Sequence, residues 1–205
     1  MIPEPTLRRL PWYLAYLSTL RSQNVDNIST TRIAEDLRVA PSQIAKDLSF
    51  LGLKGKTRIG YSVGELENAL SEFLGFRNRH NAVMVGVGSL GAALIADSGL
   101  QRYGLNIVAG IDVNPEIVGT RICSVPVFDY CSLPDLVRNL DITIGIIAVP
   151  VDCAQDAAHS ITDAGIKAIW NFTPTRISAP AGVVVTNTSI YSHLAVMYNR
   201  MSSIK

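Results

Sequence analysis

Three glycines and one aspartate carry the most specific chemistry in the chain. Gly86-Val87-Gly88-Ser89-Leu90-Gly91 follows the apolar run Ala82 to Val87 and precedes about one helix of Ala and Leu, after which a second apolar run, Ile107 to Ile111, ends in Asp112. Gly86 permits a tight turn off a strand, Gly88 lets a pyrophosphate approach bare backbone, and Gly91 lets a helix pack close to the sheet. A helix beginning near Ser89, with Leu90 in its first turn, points free N–H groups and the positive end of its dipole at the phosphates. Asp112 lies about 20 residues past the last glycine, where a carboxylate accepts both ribose hydroxyls of an adenosine and repels a 2′-phosphate. The cofactor these residues imply is NAD(H) rather than NADP(H). A glycine corner that serves packing alone is the alternative; the strand before it, the helix after it and the terminal acid favour the dinucleotide.

A second chemistry lies in residues 1–60. The whole chain is only +1, yet this part holds nine basic side chains (Arg8, Arg9, Arg21, Arg32, Arg38, Lys46, Lys54, Lys56, Arg58) against five acidic ones. If Ile44, Leu48 and Leu51 face inward on a helix, a 3.6-residue period puts Ser42, Lys46, Ser49 and Phe50 outward, with Gln43 at the edge. Small polar groups, an amide and a lysine suit base edges and phosphates in a major groove. Taken alone, a solvated helix face explains the same residues equally well. The stretch Gly52 to Tyr61 then alternates glycine with Lys54, Lys56 and Arg58 and has no acid, as a hairpin wing does when its tip meets phosphates. A flexible surface loop is the alternative, and a helix-turn-helix directly before it favours the wing.

Other chemistry is poorly supplied. Hydride transfer needs a general acid or base beside its substrate, and the candidates are His80 in a linker, His159 in mid-helix, His193 on the last helix and Lys167 before a strand. No residues remain for a substrate domain, so no catalytic residue and no enzyme are expected. Cys123, Cys131 and Cys153 are odd in number and lack C-x-x-C spacing, which implies free thiols in a reducing compartment and neither a disulfide framework nor a metal site. A 48% apolar fraction with 17% charged residues supports a packed core rather than disorder. With no leader pattern and no apolar run of about 18 residues, a cytoplasmic soluble protein is expected.

These residues need elements to hold them. Leu7, Leu10, Leu14 and Leu17 predict a helix over 6–21, with Pro11 a kink or the true first turn. Thr30 or Thr31 caps a second helix ending near Arg38, and Pro41 opens the reader helix after a turn of a few residues. Ser62-Val63-Gly64-Glu65 is a capping box for a helix over 63–74, and Arg77 to Asn81 reads as the linker between domains. Beyond Asp112, strands are expected near 125–128, 143–149, 166–172 and 183–186, with helices over 133–139 and 152–164. Alternating strands and helices give an open, mostly parallel sheet whose strand ends, at Gly86, Asp112, Val149 to Pro150 and Asn171 to Pro174, line a ligand crevice. A last helix over 188–201 carries Ile190, Leu194, Met197 and Met201 on one face. It either folds back onto its own sheet, the default, or packs on a second copy.

The opening IPEPTLRRLPWYLAYL, the reader QIAKDLSFLG, the wing GLKGKTRIGY, the corner VGVGSLGAAL, GIDVNPEIVGTRI, the AVP of Ala148 to Pro150 and AGIKAIWNFTP occur in an order that resembles the Rex family of redox-sensing transcriptional repressors along essentially the whole chain. The resemblance implies an α/β protein: a winged helix-turn-helix domain over 1–76, then a Rossmann-type doubly wound parallel sheet over 77–205 whose C-terminal helix is swapped within a homodimer. It further implies binding to double-stranded palindromic operator DNA through the winged helices, with release by NADH; Ser42, Gln43 and Lys46 of the reader helix and Lys54, Lys56 and Arg58 of the wing are the residues expected to meet it. On matching positions the glycine corner and Asp112 hold the adenosine half of NAD, with Val149, Pro150, Phe172, Thr173 and Pro174 near the nicotinamide. Three positions depart from the family's usual pattern: Ala45 stands for an arginine, Asp97 for a tyrosine near the nicotinamide, and Ser189 for an aspartate opening the swapped helix. These departures keep a second reading open, a nucleotide- or CoA-binding module with an altered redox response or weak DNA binding.

Overall fold

A 19-residue helix, α1 (Glu4–Ser22), carries the first unit, with Leu10, Leu14, Leu17 and Leu20 all buried. The computed structural model describes residues 2–204, and the chain divides into two units, up to Asn78 and from Arg79 onward. Pro5, not Pro11, occupies the first turn of α1, where a missing N–H costs nothing. Pro11 is carried inside the helix at the expense of one i→i−4 bond. After Asn24, in left-handed conformation at φ 59°, the chain forms β1 (Asn27–Ile28), α2 (Thr30–Leu37), α3 (Pro41–Ser49), β2 (Tyr61–Ser62) and α4 (Val63–Phe73).

The cap of α2 is Ser29 rather than Thr30 or Thr31: its Oγ accepts the Arg32 N–H at 3.1 Å. The run Ser-Thr-Thr offers three chemically equivalent caps, and pairing of β1 with β2 decides where extended backbone stops. Arg38, at φ 54°, closes α2 and turns the chain into α3. Ser62 caps α4 as its capping box predicts. Ile33, Ile44, Leu48, Leu66 and Leu70 meet α1 in one apolar core. The antiparallel β1–β2 pair, extended by a single bridge between Lys56 and Gly60, makes a minimal wing after the α2–α3 helix-turn-helix.

The second unit runs β3 (His80–Val85), α5 (Ser89–Ala96), α6 (Ser98–Arg102), β4 (Leu105–Ile111), β5 (Arg121–Ile122), β6 (Val125–Phe128), α7 (Leu133–Asn139), β7 (Ile142–Ile147), α8 (Ala154–Asp163), β8 (Ala168–Asn171), β9 (Val184–Asn187) and α9 (Ile190–Ser202). Its sheet has the order β5-β6-β4-β3-β7-β8-β9, parallel except for the β5–β6 edge pair. Without β5, this is the third-second-first-fourth-fifth-sixth order of a doubly wound dinucleotide fold. The edge strands β5 and β9 are largely exposed, while the central strands are buried on both faces, by one cluster around Val83, Ile147 and Ile161 and another around Met84, Val127 and Ile146. That explains their near-continuous apolar sequences.

Several expectations change. The helix after the glycines is two helices, because Asp97 leaves helical conformation and caps α6, its Oδ1 accepting the Gly99 N–H at 3.0 Å. His80 and Asn81 belong to β3 rather than to a linker. Asn81 donates to the Leu140 carbonyl at 2.7 Å and accepts from Asn106 at 3.0 Å, so its polar side chain is satisfied at the start of the sheet. The link from β8 to β9 has no helix and is braced by side chains instead. Finally, α9 does not fold back onto its own sheet: it has no buried residue, and Ile190, Met197 and Met201 are 54%, 47% and 60% exposed.

Candidate functional site

The crevice of the second unit opens where the strand order reverses, between β3 and β7. There the strand ends lie side by side: Gly86 N–H donates to the Ile111 carbonyl at 2.9 Å, Ala148 N–H to Val85 at 2.8 Å, and Phe172 N–H to Ile147 at 2.9 Å. The three glycines have distinct environments. A Cβ on Gly86, already at φ +89°, would lie 2.6 Å from the Ala148 carbonyl oxygen, and one on Gly91 only 2.0 Å from the Gly86 oxygen. At Gly88 a Cβ would meet nothing within 4 Å. Gly86 and Gly91 are therefore packing glycines, while Gly88 leaves bare backbone facing open space, the cradle a pyrophosphate needs.

Ser89 and Leu90 stand exposed on the first turn of α5, whose opening N–H groups have no acceptor further back in the helix. Asp112 is half-buried at the end of β4, and its two oxygens accept the Val87 N–H at 2.7 Å and the Asn114 N–H at 2.9 Å. This carboxylate thus ties the glycine corner to the next strand and keeps further lone pairs for ribose hydroxyls. The residues present fit NAD. Tyr130, overlooked in the sequence, stands close enough to Asp112 to feel its charge. Burial, then Cys153, Asp156 and Asp112, push its phenol up to about 12, so it stays a neutral donor. Its only signal was an aromatic residue just past the end of β6.

Across the crevice, Val149 is half-buried and Pro150 exposed after β7. Phe172 packs on Trp170 with ring centroids 4.6 Å apart, and Pro174 is exposed. Asn171 and Thr173 turn inward, contrary to a ligand-lining role for their side chains. Asn171 Nδ2 donates to the Thr175 carbonyl at 2.7 Å and Asn187 Oδ1 at 2.9 Å, while its Oδ1 accepts from Thr173 N–H and Oγ1 at 3.0 and 2.8 Å. They brace the helix-free β8–β9 connection. Among the described residues no cluster of His, Cys, Asp and Glu could hold a metal ion.

In the first unit, Ser42 and Lys46 are exposed on α3, and Lys54, Lys56 and Arg58 on the wing. Gly60 makes the wing's return possible: at φ +88°, a Cβ there would lie 2.2 Å from the Ile28 carbonyl. Gln43 is half-buried and donates to Asp47 at 2.8 Å. Asp47, which sequence reasoning missed, is fully buried and joins α3 to α1. Arg9 Nε and Nη2 hold it bidentately at 2.7 and 2.8 Å, Tyr13 Oη donates at 2.7 Å and Thr6 Oγ1 at 3.0 Å. Burial raises the Asp47 pKa, but these bonds with that from Gln43 outweigh it and hold the carboxyl at about 2. The signal was available: Asp47 falls on the Ile44–Leu48 face, and Arg9 and Tyr13 are one helical turn apart.

A winged-helix unit followed by a dinucleotide-type sheet defines a class, the nucleotide-responsive transcription regulators. Residues 1–49 match the family model described as "Putative DNA-binding protein N-terminus" and residues 77–175 that described as "CoA binding domain". The chain is 53% identical over 203 residues to the redox-sensing transcriptional repressor Rex of Porphyromonas gingivalis, covering 99% of this chain and 93% of that one. It is 48% identical over 201 residues to the Rex repressor of Bacteroides fragilis, covering 98% and 91%. Among solved structures it is similar to RSP in complex with beta-NAD+ and operator DNA (TM-score 0.94, 34% identity, covering 99% and 94%) and to RSP in complex with beta-NADH (TM-score 0.89, 34% identity, covering 99% and 95%). The chain belongs to the Rex family of redox-sensing transcriptional repressors.

Proposed function

We propose that this chain is a cytoplasmic, non-enzymatic repressor that binds palindromic operator DNA as a homodimer and releases it when NADH occupies the second unit. The observation that carries the cofactor half is the contrast between Gly91, sealed against the Gly86 oxygen, and Gly88, open to at least 4 Å, beside the carboxylate of Asp112. Packing alone gives no reason for a glycine at Gly88, where the backbone at φ −70° accepts any residue. NADH and NAD+ differ in the charge of the nicotinamide ring, the property a redox sensor reads. Val149, Pro150, Phe172 and Pro174 border that end of the crevice.

On the DNA side, Ser42 and Gln43 in the first turn of α3 meet base edges and Lys46 a phosphate, while the wing presents Lys54, Lys56 and Arg58 to the backbone. A two-fold operator requires a dimer, and the uncovered stripe of α9 supplies apolar surface for a second copy. A CoA-binding module is the second reading, favoured by the name of the model that matches residues 77–175. Asp112 opposes it, because CoA carries a phosphate on the same ribose. Calorimetric titration with NADH, NAD+ and CoA separates the two. Saturable binding of both dinucleotides with none of CoA is expected, and binding of CoA alone contradicts the proposal.

A further inference from the structure

Asp47 accepts hydrogen bonds from Thr6, Arg9, Tyr13 and Gln43 and donates none. A carboxylate gripped bidentately by a guanidinium and surrounded by donors is an acceptor only. The Gln43 carboxamide therefore has one allowed orientation, with Nε2 toward Asp47 Oδ1 at 2.8 Å; the flipped amide would set its oxygen against the carboxylate. Among the described residues no buried side-chain oxygen lacks a partner. Gln43 Oε1 makes no hydrogen bond within the protein, so it is open to solvent, next to the amide's second N–H.

Gln43 lies in the first turn of α3, the part of a reader helix that meets base edges. An acceptor beside a donor complements one base in the major groove: adenine, with its N6 donor and N7 acceptor. Guanine offers two acceptors, cytosine a donor, and thymine an acceptor and a methyl group. We propose that Gln43 reads an adenine in each operator half-site, its Oε1 accepting from N6–H and its free N–H donating to N7, with Asp47 as the positioning residue that fixes the amide. The inference rests on the operator-binding reading above. Fixing the amide in advance also reduces the side-chain freedom lost on binding.

The test uses the full chain. A motif is selected from random duplex DNA with the wild type, and affinities are then measured on that motif with each adenine pair replaced by 7-deazaadenine, which removes only the N7 acceptor. At one symmetric pair the wild type should lose about 5- to 100-fold. Gln43→Met, of similar length and without an amide, should bind the parent motif more weakly by a similar factor and be indifferent to the deaza substitution. Asp47→Asn, which can face Gln43 with either a donor or an acceptor, should lower the adenine preference at that pair by a larger factor than it lowers binding to unrelated sequences. If Gln43→Met weakens all sequences equally, or keeps the wild-type response to 7-deazaadenine, the proposal is wrong while the operator reading stands. If the wild type enriches no sequence, both fall.

Discussion

Exchanging Gly91 and Gly88 for alanine, one at a time, should separate packing from binding at the glycine corner. At Gly91 the added methyl would start 2.0 Å from the Gly86 carbonyl oxygen, which is backbone and cannot rotate away. Reaching ordinary contact at 3.4 Å requires α5 and the corner to separate by about 1.4 Å, and over-packing of this kind costs about 1–3 kcal/mol. For a chain of this size that lowers Tm by about 3–10 °C. At Gly88 the same methyl meets nothing within 4 Å, and φ is −70°, so the change should stay within about 0.5 kcal/mol of wild type. The NADH affinity should invert that order of harm. Gly88→Ala puts a methyl where the pyrophosphate approaches and should weaken NADH at least about tenfold with Tm unchanged. Differential scanning calorimetry and NADH fluorescence titration read the two effects. A Gly88→Ala protein that binds NADH like wild type would refute the assignment of this corner to the pyrophosphate.

The Asp47 cluster should make the first unit acid-sensitive. The folded pKa of about 2 lies below the ordinary 3.8, so about 2 kcal/mol is present above pH 4 and lost as pH falls toward 2. Urea unfolding followed by helical circular dichroism should show this loss, and Asp47→Asn should remove the Asp47 share of it, leaving that of Glu67, where burial raises the carboxyl but hydrogen bonds from Ser18 and Arg21 outweigh it and lower the carboxyl. Lys56→Ala should reduce the slope of log affinity against log salt by about 0.9 per protomer if Lys56 meets a phosphate; an unchanged slope places the wing off the DNA. Met197→Glu, on the exposed stripe of α9, should shift sedimentation toward monomer and lower operator affinity, whereas an unaltered dimer means another surface pairs the copies. Asp97→Asn should weaken NAD+ more than NADH, since a carboxylate favours the cationic ring; equal effects on the two would remove Asp97 from the nicotinamide's surroundings.

Much of this architecture was legible because it rests on local rules. Strands covered on both faces need continuous apolar runs, so the strand expected over 143–149 could be read directly and is found as Ile142–Ile147, and a proline or a capping box marked the start of α3 and α4. What escaped depends on contacts distant in sequence. The Asp47 ion cluster needs α1 and α3 packed together; the place of Asp47 on the Ile44–Leu48 face signals burial, but its partners Arg9 and Tyr13 lie 38 and 34 residues away. Asp97 as a helix cap, rather than a residue inside one helix, follows from local competition for the Gly99 N–H that an Ala-rich stretch conceals. Asn171 and Thr173 were correctly placed at a strand end. Their inward orientation answers the β8–β9 connection's need for hydrogen bonds, which no periodicity encodes. For α9 the default, folding back onto its own sheet, did not hold, because an apolar stripe also fits a second copy and its own residues do not say which surface covers it.

Operator binding at controlled cofactor ratios reads the DNA-binding unit and the cofactor unit in one measurement. A labelled palindromic operator is titrated with the chain at low and moderate salt, alone and at fixed total dinucleotide while the NADH to NAD+ ratio is varied. Binding should weaken with salt and be released as NADH rises, with no release by NAD+ alone. Binding unaffected by NADH at any ratio would contradict the proposed function.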